Sequence, residues 1–387
     1  MQVEDLLIEV RNPSNERIGL LPLGDLVGAK FILRFNNVGS WEIKVPQGSR
    51  LGEQLRLPGY GIIVTGPDNS VIFSGPTLSA TLDQTSTNVD GDWTIVGASD
   101  ELTLVERLAY PTPTSSDVTT QTDGYDVRTG AAETVLKGYV NANIGPSAPS
   151  PRKISNLIIQ ADAGLGSTVA GNARFQTLQA TLYGLAQTGG LGYALEQSGS
   201  NLEFQVYAPV DRTETIRMDM DNNQLSKAQY AYSSAKLTRA IVGGAGAGTD
   251  RQFIEVTTTE SEAAETAWSR RIEVFADSRN SQTTDQLNQS GEEMLVDDGK
   301  TIVEMAVTPS EDFNMTFGKD WYLGDKITVV INQLQASAVV TEVGISIEAD
   351  GVRIGATVGT PVGIQYESRI IAKTLEIDKR LSNLERH

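Results

Sequence analysis

The chain has no cysteine and a single histidine, His387, the last of its 387 residues. The first absence removes disulfides, thiolate zinc sites and cysteine nucleophiles. The second removes histidine general bases and the common histidine metal sites, because a terminal residue is ordinarily frayed. Few enzyme chemistries pass both filters, and no cofactor is expected. Long hydrophobic runs are lacking too. No stretch approaches the ~20 apolar residues that span a bilayer, and Met1-Gln-Val-Glu-Asp-Leu-Leu7 has neither the basic nor the apolar region of a secretory signal. The expectation is a protein made and folded in a cytoplasm, with no membrane-spanning segment. Clustered bases are also missing: 31 Lys and Arg stand against 49 Asp and Glu, a formal charge of -18, with the acids spread along the whole length. Nucleic-acid binders show the reverse balance. An acidic lining suits instead a conduit through which DNA slides without being gripped.

What is present is a long chain built mainly of short strands. A length of 387 residues exceeds one ordinary core and predicts two to four sub-domains. The segment 236–277 reads as strand, glycine turn, strand, short helix, strand. Lys236 to Val242 runs into Gly243-Gly-Ala-Gly-Ala-Gly248 and resumes at Arg251-Gln-Phe-Ile-Glu-Val256. A phosphate cradle needs its last glycine to open a helix. Here Thr249 and Asp250 lead to a second strand, so the glycines read as a hairpin tip. From Met1 to about Tyr110 the pattern is all-β, with strands at Leu6–Val10, Ile18–Leu21, Lys30–Phe35, Trp41–Val45, Leu57–Val64, Val71–Phe73 and Asp92–Val96. Strict alternation puts Trp41, Ile43 and Val45 on one buried face, and the glycine and proline punctuation predicts a small barrel or sandwich.

The order and spacing of Gly39-Ser-Trp-Glu-Ile-Lys-Val-Pro46, Pro58-Gly-Tyr-Gly-Ile-Ile-Val64 and Ile72-Phe-Ser-Gly-Pro76 resemble the opening of the tail-tip hub proteins of long-tailed, siphovirus-type phages, the minor tail proteins. Ile241-Val-Gly-Gly-Ala-Gly-Ala-Gly248 and Arg271-Ile-Glu-Val-Phe-Ala-Asp-Ser-Arg279 resemble that family's middle. The family is similar in fold to the central baseplate hub of contractile-tailed phages. The resemblance covers nearly the whole chain and implies a homotrimer in the virion tail tip. Its two barrel-like tube domains per chain would form a ring beneath a sixfold tube, with the distal tail protein and tail tube above, a tip or fibre protein below, and DNA passing through unbound.

Between Pro111 and Gly130 the composition shifts to Pro, Thr, Ser, Asp and Gly and reads as a linker or long loop. A helix follows with Ala132, Val135, Leu136, Tyr139 and Val140 on one face, then a strand at Leu157–Ile159, a helix at Phe175–Gln187 stopped by Gly189-Gly190, and a hairpin from Gly192–Glu196 and Leu202–Tyr207. Residues ~111 to ~210 therefore make an inserted α/β module. Its acids Asp123, Asp126, Glu133, Asp162 and Glu196 are the best material for a glycosidase-like carboxylate pair; acids on loops are more often solvated surface, and no catalytic residue is assigned. Asp219, Asp221, Asn222 and Asn223 resemble fragments of a calcium loop but lack its closing glutamate, so a turn is the better reading and no metal site is assigned.

A helix is expected over Thr283–Asp298, and strands return at Thr301–Val307, Trp321–Ile331, Ala338–Val343 and Val352–Ile354. The turn at Leu323-Gly-Asp-Lys-Ile327 resembles one in phage hub proteins. In the tail, Ile370, Thr374, Ile377, Leu381 and Leu384 alternate spacings of four and three, the seam of a short coiled coil. A single helix docked on its own domain fits the same spacing. The expected organisation is mainly β with α+β: an N-terminal barrel-like tube domain (1–110), an inserted α/β module (111–210), a second barrel-like domain with helices (211–362) and a C-terminal helix (363–387). The expected function is a structural hub. A receptor- or carbohydrate-binding tail appendage is the alternative, since β-rich, Trp-containing surfaces suit sugar stacking.

Overall fold

The computed structural model describes residues 6–279, 283–310, 314–331, 334–348 and 351–359. The C-terminal coiled-coil seam expected at Ile370, Thr374, Ile377, Leu381 and Leu384 lies outside the described residues.

The first β region begins with a hairpin, β1 (Leu7–Arg11) and β2 (Arg17–Leu20). Its turn is set by Asn12, whose side-chain oxygen accepts from the amides of Ser14 and Glu16. β3 (Gly28–Arg34) and β4 (Ser40–Pro46) form a second hairpin. On β4 the alternation holds as expected: Trp41, Ile43 and Val45 are fully buried, each such side chain contributing about 1.5–3 kcal/mol by burial. Gly97 makes room for the indole, since a Cβ there would sit 2.4 Å from Trp41 ring atoms.

After Pro46, between the strands expected at Trp41–Val45 and Leu57–Val64, the chain forms a helix, α1 (Arg50–Leu55). Ser49 caps it by accepting from the Gly52 amide, and Leu51 and Leu55, four apart, turn inward. The next strand starts later than expected: Leu57–Tyr60 form a turn, with Gly59 at φ 81°, and β5 is Gly61–Thr65. β6 (Val71–Thr85) and β7 (Asn88–Ala98) extend well beyond the two short runs expected there. Beyond Pro76 β6 alternates Leu78, Ala80 and Leu82 with Thr, Ser and Asp, but none of the three is fully buried, and the far ends of both strands are exposed.

A short helix, α2 (Leu102–Glu106), leads into the α/β insert: β8 (Asp126–Ala131), α3 (Ala132–Asn143), β9 (Leu157–Ile159), β10 (Thr168–Ala173), α4 (Leu178–Gly189), β11 (Gly192–Ser198) and β12 (Asn201–Tyr207). Both helices fall where the periodicity predicts, and Gly190 ends α4 in the left-handed conformation at φ 70°. The 111–130 stretch is loop only in part, because its end pairs as β8 with β10. α3 and α4 share one apolar core with β11 and β12.

The second β region holds β13 (Arg217–Asp219) and β14 (Leu225–Ser233), and is then interrupted by a second, smaller insert. That insert contains β15 (Arg239–Gly243), β16 (Phe253–Val256), α5 (Thr259–Trp268), β17 (Glu273–Asp277) and α6 (Thr284–Asp298). β15 pairs antiparallel with β16 and parallel with β17, so the glycine run closes a hairpin and α5 carries the chain to the other edge. The main sheet resumes with β18 (Ile302–Pro309), β19 (Lys326–Ile331), β20 (Leu334–Glu348) and β21 (Gly351–Gly359). Trp321–Asp325, expected as strand, is a turn with Gly324 at φ 87°.

The two β regions are one piece of structure. Residues 342–347 of β20 pair antiparallel with residues 29–34 of β3, giving a 13-stranded sheet whose main path runs β14-β18-β21-β20-β3-β4-β7-β6-β5-β1-β2. A single apolar cluster accordingly draws on Phe31, Trp41 and Ile62 from the first region and Trp321, Ile327 and Val343 from the second. Among the described residues, no helix is long and apolar enough to cross a membrane.

Candidate functional site

The α/β insert is seated on the first β region by two buried polar contacts. Arg11, at the end of β1, donates from both terminal nitrogens to Asp100 at 2.8 and 2.6 Å and from one of them to Gln197 of β11 at 2.8 Å. Ser74 of β6 donates to the same Asp100 carboxylate at 2.6 Å and accepts from the Gln197 amide. The second contact is Asn36, held at φ 54° in the β3–β4 turn. Its side chain donates to the Leu191 carbonyl and accepts from the Tyr193 amide, while its own carbonyl accepts from Tyr193 OH and from Gln179. Left-handed backbone suits Asn more than most residues, which is why the position can aim three groups into the insert.

Beside these contacts lies a cleft of about 380 Å³ where both β regions meet the insert, with Arg34, Glu101, Glu196, Tyr207, Arg212 and Tyr322 on its walls. The cations are committed: Arg34 pairs with Glu342 at 3.0 Å and Arg212 with Asp325 at 2.6 Å. Tyr322 OH donates to Asp68, a bond that lifts the phenol to about 12. Glu101 accepts from the Leu195 amide at 3.0 Å. Burial above all raises both Glu101 and Glu196 to about 7, with the charge of Asp100 adding at Glu101 and those of Glu101 and Glu203 adding at Glu196.

The acids singled out from the sequence do not converge. Asp123 accepts from Thr112 at the surface, and Asp126 pairs with Arg128. Glu133 and Asp162 meet at the loop 160–165, but each is used structurally. Glu133 takes the buried Lys137 ammonium and the amides of Ala163 and Leu165, which together outweigh its burial and hold it below the usual range. Asp162 accepts from Thr134 and the Gly164 amide. Glu196 alone reaches the cleft, beside Glu101, which no periodicity marked.

Asp219 accepts from the Asp221 amide and the Asn222 side chain, a turn as read. Among the described residues no cluster of three or more acids or histidines has metal-binding geometry. A second groove, of about 360 Å³, runs between α4, β10 and α6 and is lined by Tyr125, Asn172, Arg174, Gln286, Gln289 and Glu293. In it the Asn172 side-chain oxygen is shut from water without a partner.

A mainly β chain with a sheet joining its two ends and two inserted α/β modules is the fold of phage tail proteins of known structure. The 43 kDa tail protein of prophage MuSo2 from Shewanella oneidensis superimposes with a TM-score of 0.57 at 11% identity, over 92% of this chain and 98% of that one. A tail protein from Neisseria meningitidis gives 0.56 at 12%, over 92% and 96%. Prophage tail protein gp18 from Listeria monocytogenes gives 0.52 at 12%, over 97% and 99%. No curated protein matches the sequence. The model of the Siphovirus ReqiPepy6 Gp37-like proteins matches residues 7–360, and the chain belongs to that family.

Proposed function

We propose that this protein is a structural component of the tail of a long-tailed phage, a hub at the tail tip. Three copies form a ring that joins the distal tail protein and tube above to the tip or fibre below and leaves a channel for DNA. The observation that carries this reading is the shared fold with phage tail proteins over more than nine-tenths of each chain compared, together with the family match.

Two features support the ring. The β20–β3 pairing joins the two β-rich ends of one chain in a single sheet, which suits a ring in which three chains present six β modules to a sixfold tube. The charge of -18 lets DNA pass such a ring without being held. In this reading residues 1–110 and 211–362 act as the two tube modules, Ile370, Thr374, Ile377, Leu381 and Leu384 supply a seam between copies, and the chain acts by shape without turnover. Sedimentation tests it: the purified protein, alone or with the distal tail protein, is expected at three times the 41.6 kDa chain mass. A monomer at every concentration and in both mixtures contradicts it.

A saccharide-binding tail appendage is the second reading, favoured by the polar groove that carries Gln286, Gln289 and the Tyr125 ring. Saccharide affinity that disappears in Tyr125→Ala, together with no assembly onto tail tube protein, would favour it over the hub.

A further inference from the structure

The anchor at Asp100 and Gln197 and the cleft beside it differ in one respect. Arg11 compensates Asp100, whereas Glu101 and Glu196, the neighbouring residues on the same two segments, face the cleft with no ion pair among the described residues. Glu203 stands directly opposite Glu196 in the β11–β12 ladder. Three carboxyls thus crowd one seam between the chain leaving the first β region and the hairpin of the insert.

The other groups facing the seam do not neutralise it. Asp100 is taken by Arg11 and Ser74, and among the described residues Glu203 accepts from the neutral Gln205 side-chain amide. Tyr193 and Tyr207 are phenols that burial keeps protonated. Arg34 with Glu342, Arg212 with Asp325, and Tyr322 with Asp68 are paired along the cleft wall. Like charges opposite one another across strands repel, and two such half-buried carboxyls do not ionise independently.

We propose that Glu101 and Glu196 form a proton-dependent joint between the first β region and the α/β insert, closed when the pair is uncharged and loosened about the Arg11–Asp100–Gln197 anchor when it is charged. The direction follows from linkage. Both carboxyls hold their protons more tightly in the folded chain than in the unfolded one. Their stabilisation is therefore complete below the ordinary carboxylate range and is lost as pH rises through about 7. The joint is closed in mild acid and slack in mild alkali.

The absence of cysteine allows two to be introduced as unique spin-label sites. Arg50→Cys on α1 and Ala180→Cys on α4 are both exposed and sit on opposite sides of the joint. Pulsed electron paramagnetic resonance at about pH 5.5 and about pH 8.5 brackets the titration. The expected result is a label-to-label distribution that broadens or shifts at the higher pH, and that stays in its acid form when Glu101→Gln and Glu196→Gln are added, since glutamine is a neutral isostere of protonated glutamic acid. The double variant is also expected to melt above the parent in alkali and level with it in acid. Identical distributions at both pH values in the parent, or a pH response that survives in the double variant, overturns the proposal.

Discussion

The two inserts are fastened to the main sheet by opposite means. The first packs a broad core from Leu104 to Val206 and is oriented by buried, fully bonded polar groups at Arg11, Asp100, Gln197 and Asn36. The second has a small core of Leu237, Ala240, Val242, Val256, Leu287 and Leu295. The outer face of its sheet carries ion pairs of Arg239 and Arg271 with Glu255 and of Arg251 with Asp277, and leaves Phe253 and Phe275 more than half exposed. Buried polar contacts are costly to break because a stranded partner keeps its desolvation penalty, whereas exposed ion pairs are worth little and fade with salt. The first insert is thus the more firmly held, with any give confined to the Glu101–Glu196 joint beside its anchor, and the second is the part most easily remodelled against a partner.

The sharpest way to break this contrast is Arg11→Ala, which strands the buried Asp100. It is expected to cost about 3–5 kcal/mol in urea unfolding, and a loss below about 1 kcal/mol would show that the contact does not hold the insert. Leu182→Ala, in the core between α3 and α4, is expected to cost about 2–5 kcal/mol with its unfolding coincident with that of the main sheet. Asn36→Ala removes bonds to Leu191 and Tyr193 and is expected to cost about 1–3 kcal/mol; Asn36→Gly, which keeps the left-handed backbone but loses the side chain, separates the two contributions. At the weak end, Arg271→Gln is expected to melt indistinguishably from the parent. Added salt at about 1 M is expected to raise amide exchange in β15–β17 before it does so in β11–β12, and the reverse order would invert the comparison.

How far the sequence exposes this arrangement depends on where the apolar residues lie. Trp41, Ile43 and Val45, and the faces of α3, α4 and α6, are legible because each buries one side against a core and alternates or repeats accordingly. β8 and β10 are not, since their ribbon is polar apart from Val169, the exposed Val127 and a few small residues and borrows its burial from α3 and α4. α1 hides behind a proline and a glycine turn, and only Ser49 with Leu51 and Leu55 signals it. The union of β20 with β3 joins residues more than 300 positions apart, for which no local pattern exists. Glu101 is invisible for a similar reason: its environment is made by β11, which lies far along the chain. Glu196 reads as one acid among many until Glu101 and Glu203 are placed around it.

Electron cryo-microscopy of intact tail tips tests the central claim most directly. The hub reading predicts three copies of this fold around the tail axis, directly beneath the tube, with an open bore free of projecting Lys and Arg. A single copy, copies set off the axis on a fibre, or a bore lined with cations against the phosphates would contradict it.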